Sequence, residues 1–206
     1  MNDLKNLKFS CTKCGNCCTD KDTLVNLTYL DILRIKKGLK LDIEELIDIL
    51  GFYVFNKEIT DEDKDKMVII PIQTERGLAF VGLRKNSLGE CYFYNSNKKK
   101  CLIYDLRPKF CRTFPFSFGY IDEKIKDNKN KIQIIYTEKG KLYCPGINEN
   151  APLINYEDWI KLGKQTLEEL NINYNIMKQW NKMVKEGKLI PTVKKFLLTI
   201  LRLNDF

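Results

Sequence analysis

The sequence predicts an α+β fold: two N-terminal helices, a small mostly antiparallel sheet around a cysteine-rich core, and a C-terminal helical extension. Three observations carry this. Helix caps and 3.6-residue apolar spacing mark the segment from Thr28 to Gly51, and β-rich runs separated by turn residues occupy 67–136. From Tyr156 onward the pattern returns to helix. The expected division is a cysteine-cluster domain over 1–150 and a helical extension over 151–206, with Gly146 to Pro152 as the linker.

The elements follow in order. Thr28-Tyr29-Leu30-Asp31 reads as a capping box, with Leu30, Leu33 and Ile35 on an apolar face and Gly38 as a stop. A second helix starts after Asp42, buries Ile43, Leu46, Ile47 and Leu50 on one side, and ends at Gly51. Beyond the polar stretch Thr60 to Lys66, Met67 to Gln73 and Gly77 to Arg84 form a hairpin around Thr74-Glu75-Arg76. A second hairpin pairs Cys91–Tyr94 with Cys101–Tyr104, and a third pairs Phe116–Phe118 with Ile132–Tyr136 across the polar run Tyr120 to Lys131. The tail divides into Tyr156–Leu170, Tyr174–Glu186 and Pro191–Leu203, the last opening on proline in its first turn. Its stripe Val193, Phe196, Leu197, Ile200 and Leu201 is spaced to pack onto the domain.

Composition narrows the chemistry. The 206 residues include 8 Cys and no His, which removes Ser-His, Cys-His and His-metal schemes together. The chain has no apolar run of the roughly 18 residues needed to span a bilayer, and no secretory h-region is visible before Cys11. A cytoplasmic location is therefore expected, where thiols stay reduced and metal ligation explains eight cysteines better than disulfides do. Cys17 and Cys18, being adjacent, could pair only through a strained ring. The formal charge of +8 invites a nucleic-acid reading. Eight thiolates would contribute −8 and two divalent metals or dicationic clusters +4, leaving about +4. Much of the basicity is then counter-charge, and nucleic acid is not the expected partner.

The run Cys11-Thr12-Lys13-Cys14-Gly15-Asn16-Cys17-Cys18 folds three sulfurs toward a common centre, with Gly15 permitting the unusual dihedrals of so tight a loop. Cys18, next to Cys17, should point elsewhere, so the run feeds two sites or one multinuclear site. Cys91, Cys101, Cys111 and Cys144 are dispersed, and Cys144-Pro145 ends as bacterial ferredoxin ligand sets do. Two four-sulfur sites result: Cys11, Cys14 and Cys17 with one distal cysteine, and Cys18 with the other three. An iron–sulfur cluster is preferred, with zinc as the alternative, because no histidine accompanies the thiols.

The CxxCxxCC run, the stretch Cys101-Leu102-Ile103-Tyr104-Asp105-Leu106-Arg107-Pro108-Lys109-Phe110-Cys111-Arg112-Thr113-Phe114-Pro115 and the final Cys144-Pro145-Gly146 resemble the YkgJ family of cysteine-cluster proteins over residues 9 to 147. The resemblance implies a zinc- or iron-chelating domain and no agreed reaction. A related module occurs in flagellin lysine N-methylase. No separate Gly-rich cofactor loop follows a strand here, so its S-adenosylmethionine chemistry does not carry over.

Arg107 and Arg112 have a physical rationale as cofactor-binding residues, since a thiolate-bound centre carries about −2 and burying that charge calls for cations. The alternative for both is ordinary surface salt bridging. Pro108 suits the first turn of a short helix carrying Cys111 and Arg112. Phe110, Phe114, Pro115 and Phe116 could shield the centre, although packing is the commoner use of such a cluster. Lys98-Lys99-Lys100 reads as a solvated hairpin tip. The functional expectation is metal binding with a redox or group-transfer role and an unknown redox or protein partner. The alternative is a structural zinc module serving as an interaction platform.

Overall fold

Thr28 and Asp31 form the expected capping box, each side chain accepting from the other's backbone N–H, and open helix α2 (Tyr29–Leu39). Asp42 and Glu45 repeat the device at α3 (Ile43–Ile49). These helices belong to a computed structural model that describes residues 6–55, 59–60, 63, 67–121 and 132–203. Most of the polar runs Thr60 to Lys66 and Tyr120 to Lys131 lies outside the described residues.

Before α2 comes one short turn of helix, α1 (Asn16–Thr19). After α3 the chain passes directly into strand β1 (Leu50–Val54). The expected helix stop at Gly51 is thus a strand position, because Phe52-Tyr53-Val54 pair with β3. Strands β2 (Ile72–Thr74) and β3 (Gly77–Leu83) make the first predicted hairpin, and β1-β3-β2 is an antiparallel three-stranded sheet. The second hairpin is reduced to β4 (Tyr94–Asn95) and β5 (Lys100–Cys101), and β6 (Phe116–Tyr120) pairs with β7 (Ile132–Tyr136). The single small sheet of the sequence reading is therefore three separate antiparallel sheets. Between the last two lie a 3₁₀ turn (Tyr104–Leu106) and helix α4 (Lys109–Thr113), capped by Pro108. Helix α5 (Glu138–Tyr143) follows β7 and ends at Cys144.

Two long elements complete the chain. Tyr156 to Lys185 is one continuous 30-residue helix, α6, where an interruption near Asn171–Asn173 was expected. Asn173 does not break it because its side chain serves a tertiary contact: buried, it accepts the Tyr29 N–H at 2.9 Å. Helix α7 (Val193–Arg202) presents the predicted stripe, burying Phe196, Leu197 and Ile200. These residues join Met177 and Trp180 in the hydrophobic cluster that holds Ile32, Ile35 and Leu46. A smaller cluster gathers Phe116, Ile134 and Ile154, with Phe9 and Trp159 packed against it. Among the described residues no helix is long and apolar enough to cross a membrane.

Trp180 is 1% exposed, stands edge-to-face with Phe196 at 5.2 Å and donates its indole N–H to the Gln73 carbonyl at 2.9 Å. Trp180→Ala is expected to cost about 3–5 kcal/mol. Trp180→Phe, which removes the hydrogen bond and retains most of the ring, should cost substantially less. Urea midpoints of the two variants check the ordering.

A buried charged network ties α2, α4 and α6 together. Lys109 is 2% exposed, too enclosed for an unpaired cation, and its ammonium meets Glu169 at 2.9 Å. Glu169 also receives the fork of Arg34 at 2.9 and 3.1 Å. Asp31, fully buried, accepts from Arg34 and from the Lys109 backbone N–H at 2.9 Å. Burial pushes the Glu169 carboxyl up, yet hydrogen bonds from Arg34 and Lys109 outweigh it and hold the group below its ordinary value of 4.5. A depressed carboxyl contributes stability that is complete above that ordinary value and lost as pH falls through the folded one. Acid should therefore lower the urea midpoint below about pH 4.5 more steeply in the wild type than in Glu169→Gln.

Candidate metal centre

The cysteine run is shaped by a glycine. Gly15 caps α1 with φ of 84°, and the Cys18 N–H reaches back to its carbonyl at 2.8 Å. A Cβ at Gly15 would stand 2.5 Å from the Tyr94 hydroxyl, so conformation and space both demand glycine. Gly15→Ala is expected to destabilise the loop by about 1–3 kcal/mol. Adding Tyr94→Ala should recover the steric part of that loss and leave the conformational part, a comparison that denaturant midpoints resolve.

Four further elements converge on this loop. The β4–β5 hairpin sets Cys101 opposite Tyr94, and the Cys91 N–H donates to the Cys18 carbonyl at 2.8 Å. Helix α4 brings Cys111, held from behind by Asp31. The end of α5 brings Cys144, whose N–H bonds the Gly140 carbonyl at 3.0 Å. The arm before Cys11 is fastened to the segment after Cys144: Ser10 N–H to Gly146 carbonyl at 3.1 Å, Phe9 to Pro152 at 3.0 Å, and Ile154 to Leu7 at 2.9 Å. Gly146 permits this approach, since a Cβ there would meet the Ser10 carbonyl at 2.5 Å.

These elements enclose a cavity of about 450 Å³ lined by seven cysteines: Cys11, Cys14, Cys17, Cys18, Cys101, Cys111 and Cys144. The eighth, Cys91, is buried and does not line it. All eight are free of disulfides. Among the described residues no group of three or more His, Cys, Asp or Glu side chains stands close enough together to hold a metal ion, so the seven cysteines share a cavity without forming a closed ligand set.

The thiols differ in their electrostatics. Hydrogen bonding with Cys18 brings Cys17 down to about 7, against burial, with Arg107 acting in the same direction. The same Cys18 interaction brings Cys101 down to about 6, again against burial and with help from Arg107. Cys18 itself is pushed up, by its hydrogen bonds to Cys101 and Cys17 and then by burial. Burial also raises Cys91, Cys111 and Cys144. A metal takes deprotonated sulfur, so the lowering of Cys17 and Cys101 favours a cationic ligand, while the raised Cys18 must give up its proton to bind one. The largest influence on Cys17 is the adjacent Cys18, while Cys144 senses Cys14 and Cys11.

Arg107 lines the cavity, its guanidinium 3.7 Å from the Tyr104 ring centroid and its Nε donating to the Tyr104 carbonyl at 2.9 Å. Arg112 is exposed and does not line the cavity. Of the aromatic group considered as a shield, Phe114 lines the cavity and Phe110 and Phe116 do not. Sequence reasoning missed Lys13, which lines the cavity and sits 4.9 Å from the Tyr104 ring, and missed the cation–π stack itself. It also missed Asp20, which accepts from Thr23, Lys139 and Tyr143 and so ties the residue after the cysteine run to α5.

Fold and site together define an α+β cysteine-cluster protein. The chain belongs to the CxxCxxCC family, described as a "putative zinc- or iron-chelating domain", whose model matches residues 10–145. Over 193 residues, 93% of this chain and 86% of the other, it is 25% identical to the uncharacterized protein MJ0661 of Methanocaldococcus jannaschii. No solved structure matches the chain.

Proposed function

We propose that this chain is an iron–sulfur protein whose cluster, or pair of clusters, is held by thiolates drawn from Cys11, Cys14, Cys17, Cys18, Cys91, Cys101, Cys111 and Cys144. The observation that carries this is the convergence of seven cysteines on one cavity of about 450 Å³. The donor set fits the group: soft sulfurs only, with no imidazole anywhere in the chain. When bound, a cluster supplies one-electron transfer or a Lewis-acidic iron.

The residues of this chain do the rest. Arg107 sets a fixed positive charge beside Cys17 and Cys101, offsetting the negative charge of a thiolate-ligated centre. Phe114, in the cavity lining, would limit the access of water to a bound centre. Free thiols in this number suit a reducing, cytoplasmic setting. Anaerobic purification followed by iron, zinc and acid-labile sulfide quantification tests the reading. Iron and sulfide in comparable amounts are expected; stoichiometric zinc without sulfide would replace the cluster with a zinc-chelating module.

A further inference from the structure

We propose that Asp20 is a positioning residue for the metal centre, holding Cys144 in register with the cysteine loop. The inference rests on the reading of the cysteines as metal ligands and adds to it a residue that binds no metal itself. Asp20 stands two positions beyond Cys18 and closes α1, its N–H donating to the Asn16 carbonyl at 3.1 Å. One oxygen of its carboxylate, Oδ2, collects three donors: the Thr23 hydroxyl, the Lys139 ammonium and the Tyr143 hydroxyl, the last at 2.7 Å.

Lys139 and Tyr143 are four residues apart on α5, so they share a face of that helix and reach the same oxygen. The next residue is Cys144. A further bond runs alongside: the Asn16 side-chain amide donates to the Tyr143 carbonyl at 3.2 Å, gripping the peptide unit that leads into Cys144. Lys85 fixes the backbone at Asp20, donating to the carbonyls of Asp20 and Lys21 at 2.6 and 2.7 Å. Apolar packing contributes little to this joint. No residue of α1 is fully buried, α5 buries only Gly140, and Leu142 of α5 is 82% accessible. Helices this short are marginal without tertiary support. What joins them is polar and centred on a carboxylate side chain only 14% exposed. Cys144 is thereby held from both directions along the chain, through Tyr143 before it and through the Ser10 bond to Gly146 after it.

Chelator competition on the full-length protein, purified anaerobically with its metal, tests the proposal. The readout is the EDTA concentration that removes half of the bound iron and zinc. Asp20→Ala should lower that concentration by about 10–100-fold, the range for groups that orient a ligand without touching the metal. Asp20→Asn, which keeps an oxygen for the Tyr143 hydroxyl, should lose less. Cys144→Ser should also lower it, and adding Asp20→Ala to Cys144→Ser should lower it no further, because Asp20 acts through that cysteine. Should Asp20→Ala fail to fold, Tyr143→Phe, which removes a single donor, takes its place in the same comparison with a smaller loss. An EDTA concentration unchanged by Asp20→Ala and by Tyr143→Phe, losses that multiply in the double variant, or Cys144→Ser indistinguishable from wild type would each overturn the proposal alone. Wild-type protein carrying neither iron nor zinc would overturn the reading of the cysteines as ligands, and this proposal with it.

Discussion

Cys18→Ser is expected to strip the protein of most of its metal while leaving the fold recognisable. Cys18 is the hub of the thiol arrangement, its ionisation coupled to that of Cys17 and Cys101, with its carbonyl fixed by the Cys91 N–H. Serine keeps the size and a hydroxyl but removes a soft, ionisable donor. Groups that merely orient a ligand are commonly worth about 10–100-fold in metal affinity, so loss of a ligand at the hub should exceed that. Competition with a chelator followed by metal analysis gives the number. A second readout is thermal: chelator should lower the melting temperature of the wild type, whose site binds metal, and should scarcely move that of Cys18→Ser. Metal content and chelator sensitivity unchanged by the substitution would remove Cys18 from the site.

Asp31→Ala should cost about 3–5 kcal/mol of stability, because it leaves buried partners without their charge. Arg34 would retain Glu169, but the backbone N–H of Lys109 and that of Thr28 would both lose their acceptor. The same carboxylate caps α2 and anchors the first turn of the helix that carries Cys111. The variant should therefore also loosen the cysteine chamber, seen as faster alkylation of Cys111 by a thiol reagent. Replacing an exposed residue such as Leu142, 82% accessible, should change neither the urea midpoint nor the alkylation rate. A loss of stability well below 1 kcal/mol for Asp31→Ala would show that the network contributes little.

Much of this was legible in the residues themselves. The capping boxes at Thr28 and Asp42 specify their helices locally, so they could be read without knowing the fold. The hairpin turn at Glu75-Arg76 and the short helix after Pro108 were readable for the same reason. The α7 stripe was legible because 3.6-residue spacing survives any packing partner. What escaped depends on distant partners. Strand β1 exists because β3 lies beside it, and Asn173 stays helical because Tyr29 takes its oxygen. Asp31 read only as a cap, since its second bond reaches across 78 residues to Lys109. Nothing local in the sequence singles out Lys109, because its partner Glu169 lies on a distant helix. At the site, the cysteine spacing carried the signature of the chelating family, while the grouping of the thiols is a tertiary matter that local spacing does not specify. Which cysteine faces which is decided by where the β4–β5 hairpin, α4 and α5 dock on the loop around Gly15.

X-ray absorption at the iron and zinc edges of anaerobically purified protein tests most directly whether these sulfurs hold an inorganic centre. A first shell made of sulfur, with a metal–metal scattering path from a cluster, is the predicted result. A first shell of nitrogen and oxygen, or no bound metal at either edge while all eight thiols remain open to alkylation, would contradict it.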